Sequence, residues 1–205
     1  MKKEKIDDLE VLRILIPQTD VIFFDMDNTL VNTDNVNNLS YKSAIHQVLG
    51  QTYDNLFDEF ARINRIDVKD KLYWISDEQF NEIISIKSTL YRKHIAQTLL
   101  IPKVVNFLKS VSSSNKCILV SNACSDRVNQ TLDFYNLKEY FYAIITKDDC
   151  IDWCNKFKTA IDLFSLDPTN IWVIEDEWTN INEALKLNIK HLILKDNGNF
   201  YYLSE

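Results

Sequence analysis

The chain predicts an α/β fold: a parallel sheet carrying helices on both faces, with a small all-helical segment set into it. Three observations lead there. Short apolar runs at 21–24, 117–120, 171–174 and 191–194 alternate with amphipathic stretches of helical period, the pattern of strands joined by crossover helices. From Asn32 to Leu99 the apolar residues recur only at helical spacing. Acids, hydroxyls and amides follow directly on the apolar runs, and ligands of such sheets sit at the carboxyl ends of the strands.

Taken in order, residues 5–16 read as a short helix with Ile6, Leu9, Leu12 and Ile16 on one face. Val21-Ile-Phe-Phe24 is β-branched or aromatic throughout, which suits a strand buried on both faces. In the inserted segment Ser40 caps a helix bearing Ala44, Ile45, Val48 and Leu49, and Leu56, Phe57, Phe60 and Ala61 mark a second. Ser76 and Gln79 form a capping box ahead of a third, with Phe80, Ile83, Ile84, Leu90, Tyr91 and Ile95 on its apolar side. After Pro102 a helix with Val104, Val105, Phe107, Leu108 and Val111 precedes the strand at 117–120. Ser125 then caps a helix through Val128, Leu132 and Tyr135, and 141–146 makes the next strand. A helix at 157–165, the strand at 171–174, a helix at 181–187 and the strand at 191–194 complete the series. The organisation is therefore a core of 1–31 and 100–205 with an insert at 32–99.

The 205 residues, 46% apolar and 26% charged, suit one sizeable core with a smaller insert. A net charge of -7 argues against a nucleic-acid binder, which would usually show a basic face, and has the wrong sign for a membrane surface. No apolar run reaches spanning length, and the start MKKEKIDDLEVLRILIPQTD lacks the features of a signal peptide. The expected location is cytoplasmic. Cys117, Cys124, Cys150 and Cys154 read as free thiols there, since no second pair or spaced histidine follows Cys150 and Cys154. With only Gly50 and Gly198, a glycine-rich phosphate loop is excluded. His46, His94 and His191 are scattered and receive no chemistry.

The chemistry starts at Asp25 and Asp27. Two carboxylates at the end of an apolar strand raise each other's pKa unless a cation lies between them, and a divalent metal is the simplest such cation. Spaced by two in an extended segment, they can face the same side, so one can meet a substrate while the other handles protons. Ser121 and Asn122 follow the second strand, and Glu175 and Asp176 the fourth.

The run Asp25-Met-Asp-Asn-Thr-Leu30 resembles the first motif of the haloacid dehalogenase-like hydrolase superfamily. Val120-Ser-Asn-Ala123 is similar to its second motif and Ile174-Glu-Asp-Glu-Trp-Thr-Asn-Ile181 to its fourth. The resemblance spans Val21 to the final strand and implies a Rossmann-like core. It implies a nucleophile at Asp25, a general acid and base at Asp27, and phosphate binding at Ser121 and Asn122. It also implies Mg²⁺ held by Asp25, Asp27 and Asp176, with Glu175 ligating or bridging through water. The third motif is a lysine, for which Lys156 and Lys158 are the candidates; Lys156 leaves the following helix of more usual length. Departures are Asn28 and Glu175, where many relatives carry other residues, and Asn180 in place of a further acid.

The implied protein is a Mg²⁺-dependent phosphatase acting on a small-molecule phosphomonoester through an aspartyl-phosphate. Asp27 argues against dehalogenation, which needs no proton donor. The helical insert resembles the cap of the small-molecule phosphatases, and Asn32, Asp34 and Asn35 either line the entrance or form a plain linker. Its eight basic and nine acidic residues do not indicate a strongly polyanionic substrate. Its aromatics Tyr41, Tyr53, Phe57, Phe60, Tyr73, Trp74, Phe80 and Tyr91 lean the reading toward a nucleoside monophosphate. A sugar phosphomutase and a non-catalytic binding protein on the same fold are the alternatives. The sequence does not specify the oligomeric state.

Overall fold

The computed structural model describes residues 2–58, 61–150 and 155–204; Phe60 and Cys154 lie outside the described residues. The chain divides into two compact units, Met1–Val31 with Leu100–Glu205, and Asn32–Leu99.

The strands in chain order are β1 (Lys2–Ile6), β2 (Val21–Phe24), β3 (Val31–Asn32), β4 (Leu99–Leu100), β5 (Lys116–Val120), β6 (Ala143–Ile145), β7 (Ile171–Glu175), β8 (His191–Asp196) and β9 (Asn199–Ser204). The helices are α1 (Leu12–Leu15), α2 (Asp34–Leu49), α3 (Arg65–Lys71), α4 (Asp77–His94), α5 (Pro102–Val111), α6 (Ser125–Tyr135), α7 (Lys156–Phe164) and α8 (Trp178–Lys186). A seven-stranded sheet has the order β1-β9-β8-β7-β2-β5-β6, and β3 pairs with β4. From β8 to β6 the neighbours are parallel; β9 runs antiparallel to β8 and β1 antiparallel to β9.

Why the sheet is two-sided follows from the strand period of two. Ile22 and Phe24 of β2 point into one cluster with Leu119, Ile174, Val104, Phe107 and Leu108 of α5, and Val128 and Leu132 of α6. Val21 and Phe23 point into the other with Ile118, Val173, Phe157 and Ala160 of α7, and Ile181 and Ala184 of α8. All four residues of β2 are buried. Each such side chain contributes about 1.5–3 kcal/mol by leaving water, which is why a central strand can consist wholly of apolar residues.

The edges differ from the sequence expectation. Residues 5–16 do not form one helix: Lys2–Ile6 is a strand, Leu9–Val11 a 3₁₀ turn and only Leu12–Leu15 is α-helical. The charged run Lys-Lys-Glu-Lys becomes a strand because β9 offers it a pairing edge, and its exposed charges suit an edge position. Strand β9 itself follows a tight turn in which Asn197 (φ 47°) and Gly198 (φ 76°) both take positive φ, as a two-residue hairpin requires.

The second unit has its own core of Tyr41, Ala44, Ile45, Phe57, Ile63, Val68, Leu72 and Ile83. Helix α2 starts at Asp34, so Ser40 lies inside it and is no cap; its hydroxyl donates to the Val36 carbonyl at 2.7 Å. No helix was found at the expected second position within the described residues: Asp54–Leu56 is a 3₁₀ turn, and α3 lies later, begun by an Asn64–Asp67 capping box. The Ser76–Gln79 capping box opens α4 as expected. Tyr41, Phe57 and Tyr91 are buried, whereas Tyr73 and Trp74 are exposed.

Cys117 is buried, which pushes its thiol up to about 12, and Cys117, Cys124 and Cys150 are unbridged. His191 stacks on Trp172 at 4.3 Å with Nδ1 3.0 Å from the Tyr202 hydroxyl. Among the described residues no helix is long and apolar enough to cross a membrane. Ile118→Ala, in the centre of the sheet, should cost about 2–5 kcal/mol in urea denaturation, whereas Ile14→Ala, at an 86% exposed position, should stay within about 0.5 kcal/mol.

Candidate active site

Register brings the motif loops to one edge. Phe24 of β2 lies opposite Leu119 of β5 and Ile174 of β7, so the next residues of three adjacent parallel strands emerge together. The Asp25 N–H donates to the Ile174 carbonyl at 3.1 Å, which prolongs β2 by one residue. The chain then folds tightly: the N–H groups of Leu30 and Val31 both donate to the Met26 carbonyl at 3.0 Å, and Asn28 N–H donates to the Val31 carbonyl at 2.7 Å. Asn28 makes this possible at φ 56°, a left-handed conformation that Asn tolerates better than most residues. Met26, Leu30 and Val31 are fully buried and anchor the loop beneath Asp25 and Asp27.

Lys156 is the first residue of α7, placed by the Asn155 cap, whose Oδ1 accepts from Phe157 N–H at 2.8 Å while its Nδ2 donates to Glu183 at 3.0 Å. Its ammonium donates to Asp25 Oδ1 and to Glu175 Oε1, each at 2.7 Å, with all three side chains buried. Glu175 is fully engaged. Oε1 also accepts from Asn180 Nδ2 at 2.6 Å, and Oε2 accepts from the N–H groups of Asp176 and Glu177 at 2.6 and 2.8 Å.

Four donors fill the four lone-pair sites of that carboxylate, so in this arrangement Glu175 anchors Lys156 and shapes the Asp176 turn. Thr29 donates its hydroxyl to Asp176 Oδ1 at 3.2 Å.

Ser121 is buried at the end of β5; its N–H donates to the Ile145 carbonyl at 2.9 Å and its Oγ accepts from Ala123 N–H at 3.2 Å. Asn122 is exposed and reaches Asn180 Oδ1 at 3.4 Å, a long contact that links the second loop to the fourth. Ser125 is the first residue of α6 and not its cap; its N–H donates to Asp148 at 2.7 Å. Asp34 pairs with Arg62 at 2.6 Å within the second unit.

Lys158, the other lysine candidate, is placed differently. It is exposed and pairs with Asp162 one turn along α7 at 2.5 Å, because two residues along a helix turn a side chain to another face. Arg127, which the motif reading did not single out, holds Asp27 in a two-pronged ion pair, Nη1 to Oδ1 at 3.0 Å and Nη2 to Oδ2 at 2.5 Å. Its position in the first turn of the helix after Ser121 is the signal that could have revealed it.

The electrostatics are those of crowded acids. Burial raises Asp25 well above the usual carboxylate range; Lys156 pulls it down, and Glu175, Asp176 and Asp27 push it up again. Burial on its own would lower Lys156, but Asp25 and Glu175 reverse this and hold it raised, as an ammonium. Asp176 is pushed up to about 7 by burial, then by Glu175 and Glu177, against Lys195 and Thr29. Among the described residues no cationic side chain forms an ion pair with Asp176. Carboxylate oxygens of Asp25, Glu175 and Asp176 lie within 4.8 Å of one another. Hard oxygen donors with unbalanced negative charge fit a Mg²⁺ ion, which would rest on Asp25 and Asp176.

A parallel sheet with acids, a hydroxyl and a buried lysine at the carboxyl edge defines an α/β enzyme that works on that edge. The chain belongs to the haloacid dehalogenase-like hydrolase family, whose model matches residues 22–194. The structure is similar to CbbY from Rhodobacter sphaeroides in complex with phosphate, with a TM-score of 0.72, 14% identity and 87% of each chain covered. It is also similar to a predicted phosphoglycolate phosphatase from Haemophilus somnus, with a TM-score of 0.71 and 18% identity over 84% of this chain and 83% of that one. At these identities the likeness is one of fold. No curated protein matches the chain in sequence.

Two outcomes follow from the geometry. Lys156→Met should destabilise the protein by about 3–5 kcal/mol, since it strands two buried carboxylates, whereas Lys158→Ala should cost at most about 1 kcal/mol; chemical denaturation separates them. The folded chain keeps a proton on Asp176 up to about pH 7, while the unfolded chain loses it near pH 4. Its contribution to stability is therefore complete below about pH 4 and lost as pH rises through about 7. A divalent cation competes with that proton, so Mg²⁺ should raise the thermal midpoint more at about pH 8 than at about pH 5; an equal or larger rise in acid would contradict the assignment.

Proposed function

We propose that the protein is a Mg²⁺-dependent phosphatase that hydrolyses a small-molecule phosphomonoester through an aspartyl-phosphate on Asp25. The observation that carries this reading is the buried Lys156 ammonium held 2.7 Å from Asp25, beside a second carboxylate, Asp27, that can serve protons. In the first step an Asp25 oxygen attacks phosphorus, the ester P–O bond breaks, and Asp27 gives a proton to the leaving oxygen. In the second a water attacks the same phosphorus and yields its proton to Asp27; the bond to Asp25 breaks, and phosphate and a free Asp25 carboxylate result.

Lys156 offsets the repulsion between an anionic nucleophile and an anionic ester, and Ser121 and Asn122 with the N–H groups of their loop would hold phosphoryl oxygens. A Mg²⁺ ion on Asp25, the Asp27 carbonyl and Asp176 would supply further charge neutralisation there. We take the unit at 32–99 as the cap that selects the leaving group, which its position between the first and second motifs supports. The substrate class stands at small phosphomonoesters. Of the insert's aromatics that suggested a nucleobase, Tyr41, Phe57 and Tyr91 are buried in its core, and similar structures are named for phosphoglycolate or solved with phosphate or xylulose 1,5-bisphosphate.

Hydrolysis of a phosphomonoester panel with and without Mg²⁺ tests the reading, using the native protein, Asp25→Asn and Asp27→Asn with folding checked by circular dichroism. Asp25→Asn should fall to background and Asp27→Asn by about 100- to 10,000-fold. Equal rates in all three would remove the phosphatase assignment.

A further inference from the structure

We propose that Arg127 takes part, with the inserted unit, in selecting the leaving group: its guanidinium receives a second anionic group, carboxylate or phosphate, on the alcohol part of the phosphomonoester. This rests on the phosphatase reading above and narrows its substrate class.

Arg127 is the third residue of α6, the helix entered from Ser121 and Asn122. Its fork takes both oxygens of Asp27, and the two side chains are only 13% and 17% exposed. A sheltered pair with two parallel bonds differs from the solvated pairs common on surfaces, which hold weakly. The steps proposed for hydrolysis leave this guanidinium without a part. Phosphoryl oxygens are met by Lys156, Ser121 and the loop N–H groups, on the side of Asp25. Asp27 addresses the leaving oxygen, on the other side of phosphorus.

Whatever departs must therefore come within hydrogen-bond reach of Asp27, and so beside the guanidinium that grips it. A carboxylate or phosphate on the departing alcohol matches the planar fork as the Asp27 carboxylate does. It can take over one or both bonds and let Asp27 turn to the ester oxygen. An uncharged alcohol offers no such exchange, and Asp27 stays gripped. The leaving group is recognised by charge and by fork geometry together, which an ammonium in the same place would not reproduce.

The test compares kcat and KM for three two-carbon esters, ethyl phosphate, 2-phosphoglycolate and ethylene glycol bisphosphate, in the native protein, Arg127→Gln and Arg127→Lys with Mg²⁺ present. The native protein should prefer one or both doubly anionic esters. Arg127→Gln should lower kcat/KM for the preferred ester about 10- to 100-fold more than for ethyl phosphate, so that the preference collapses. Arg127→Lys, which keeps the charge and loses the fork, should give an intermediate ratio and carries the test alone if the glutamine variant does not fold. Loss confined to 2-phosphoglycolate identifies the second group as a carboxylate, and loss confined to the bisphosphate identifies it as a phosphate. A native protein that treats the three esters alike, or an Arg127→Gln variant that lowers all three equally or keeps the preference, overturns the proposal while leaving the phosphatase reading in place. A native protein that hydrolyses none of these esters, nor any of the wider panel, overturns the phosphatase reading itself.

Discussion

The Lys156 ammonium, shared between Asp25 and Glu175, is the interaction on which the rest of the site depends. It ties the end of β2, the end of β7 and the start of α7 to one point. Removing three charged groups from water is costly, and their mutual attraction repays it only when the geometry is good and the remaining lone pairs are filled. Glu175 meets that condition with four donors. The same bonds fix the turn that carries Asp176, so the rim is organised from the buried lysine outward.

The sheet makes such an arrangement possible. Parallel neighbours on either side of β2 deliver their loops to one edge, and the alternation of Ile22 and Phe24 against Val21 and Phe23 covers both faces with helices. An interior packed in this way gives the loops a rigid base. Asn28 then bends the first loop back on Met26, which holds Asp27 at the rim beside Arg127. Positive and negative groups alternate across the edge, and Asp176 is left as the acid most in need of a cation.

Much of this was legible in the residues. Strands buried on both faces announce themselves as unbroken apolar runs, and the useful polar groups follow them directly. Lys156 was separable from Lys158 only weakly by helix length; in three dimensions the turn of the helix puts Lys156 beside Asp25 and Lys158 beside Asp162. Other features depend on partners far away in sequence. Lys2–Ile6 has no apolar alternation to mark it and is a strand because β9 pairs with it. Strand β9 did leave a signal in Asn197-Gly198, a short hairpin sequence. The Asn64–Asp67 capping box that starts α3 was likewise present but competed with the apolar residues just before it. Arg127 has no motif of its own, and its role emerges only when α6 packs near the first loop.

The central strand has a further consequence for how the chain assembles. Strand β2 leaves the ribosome before both of its partners, β5 and β7, which are encoded about a hundred and about a hundred and fifty residues later. Until they emerge, four adjacent apolar residues lack neighbours. The intervening segment, with contacts among Tyr41, Ile45, Val68 and Ile83 that are close in sequence, can gather its own core in the meantime. Biogenesis therefore runs opposite to architecture, with the middle of the sheet waiting for its flanks, and this leaves the nascent Val21–Phe24 strand as the part of the protein most in need of shielding while translation proceeds.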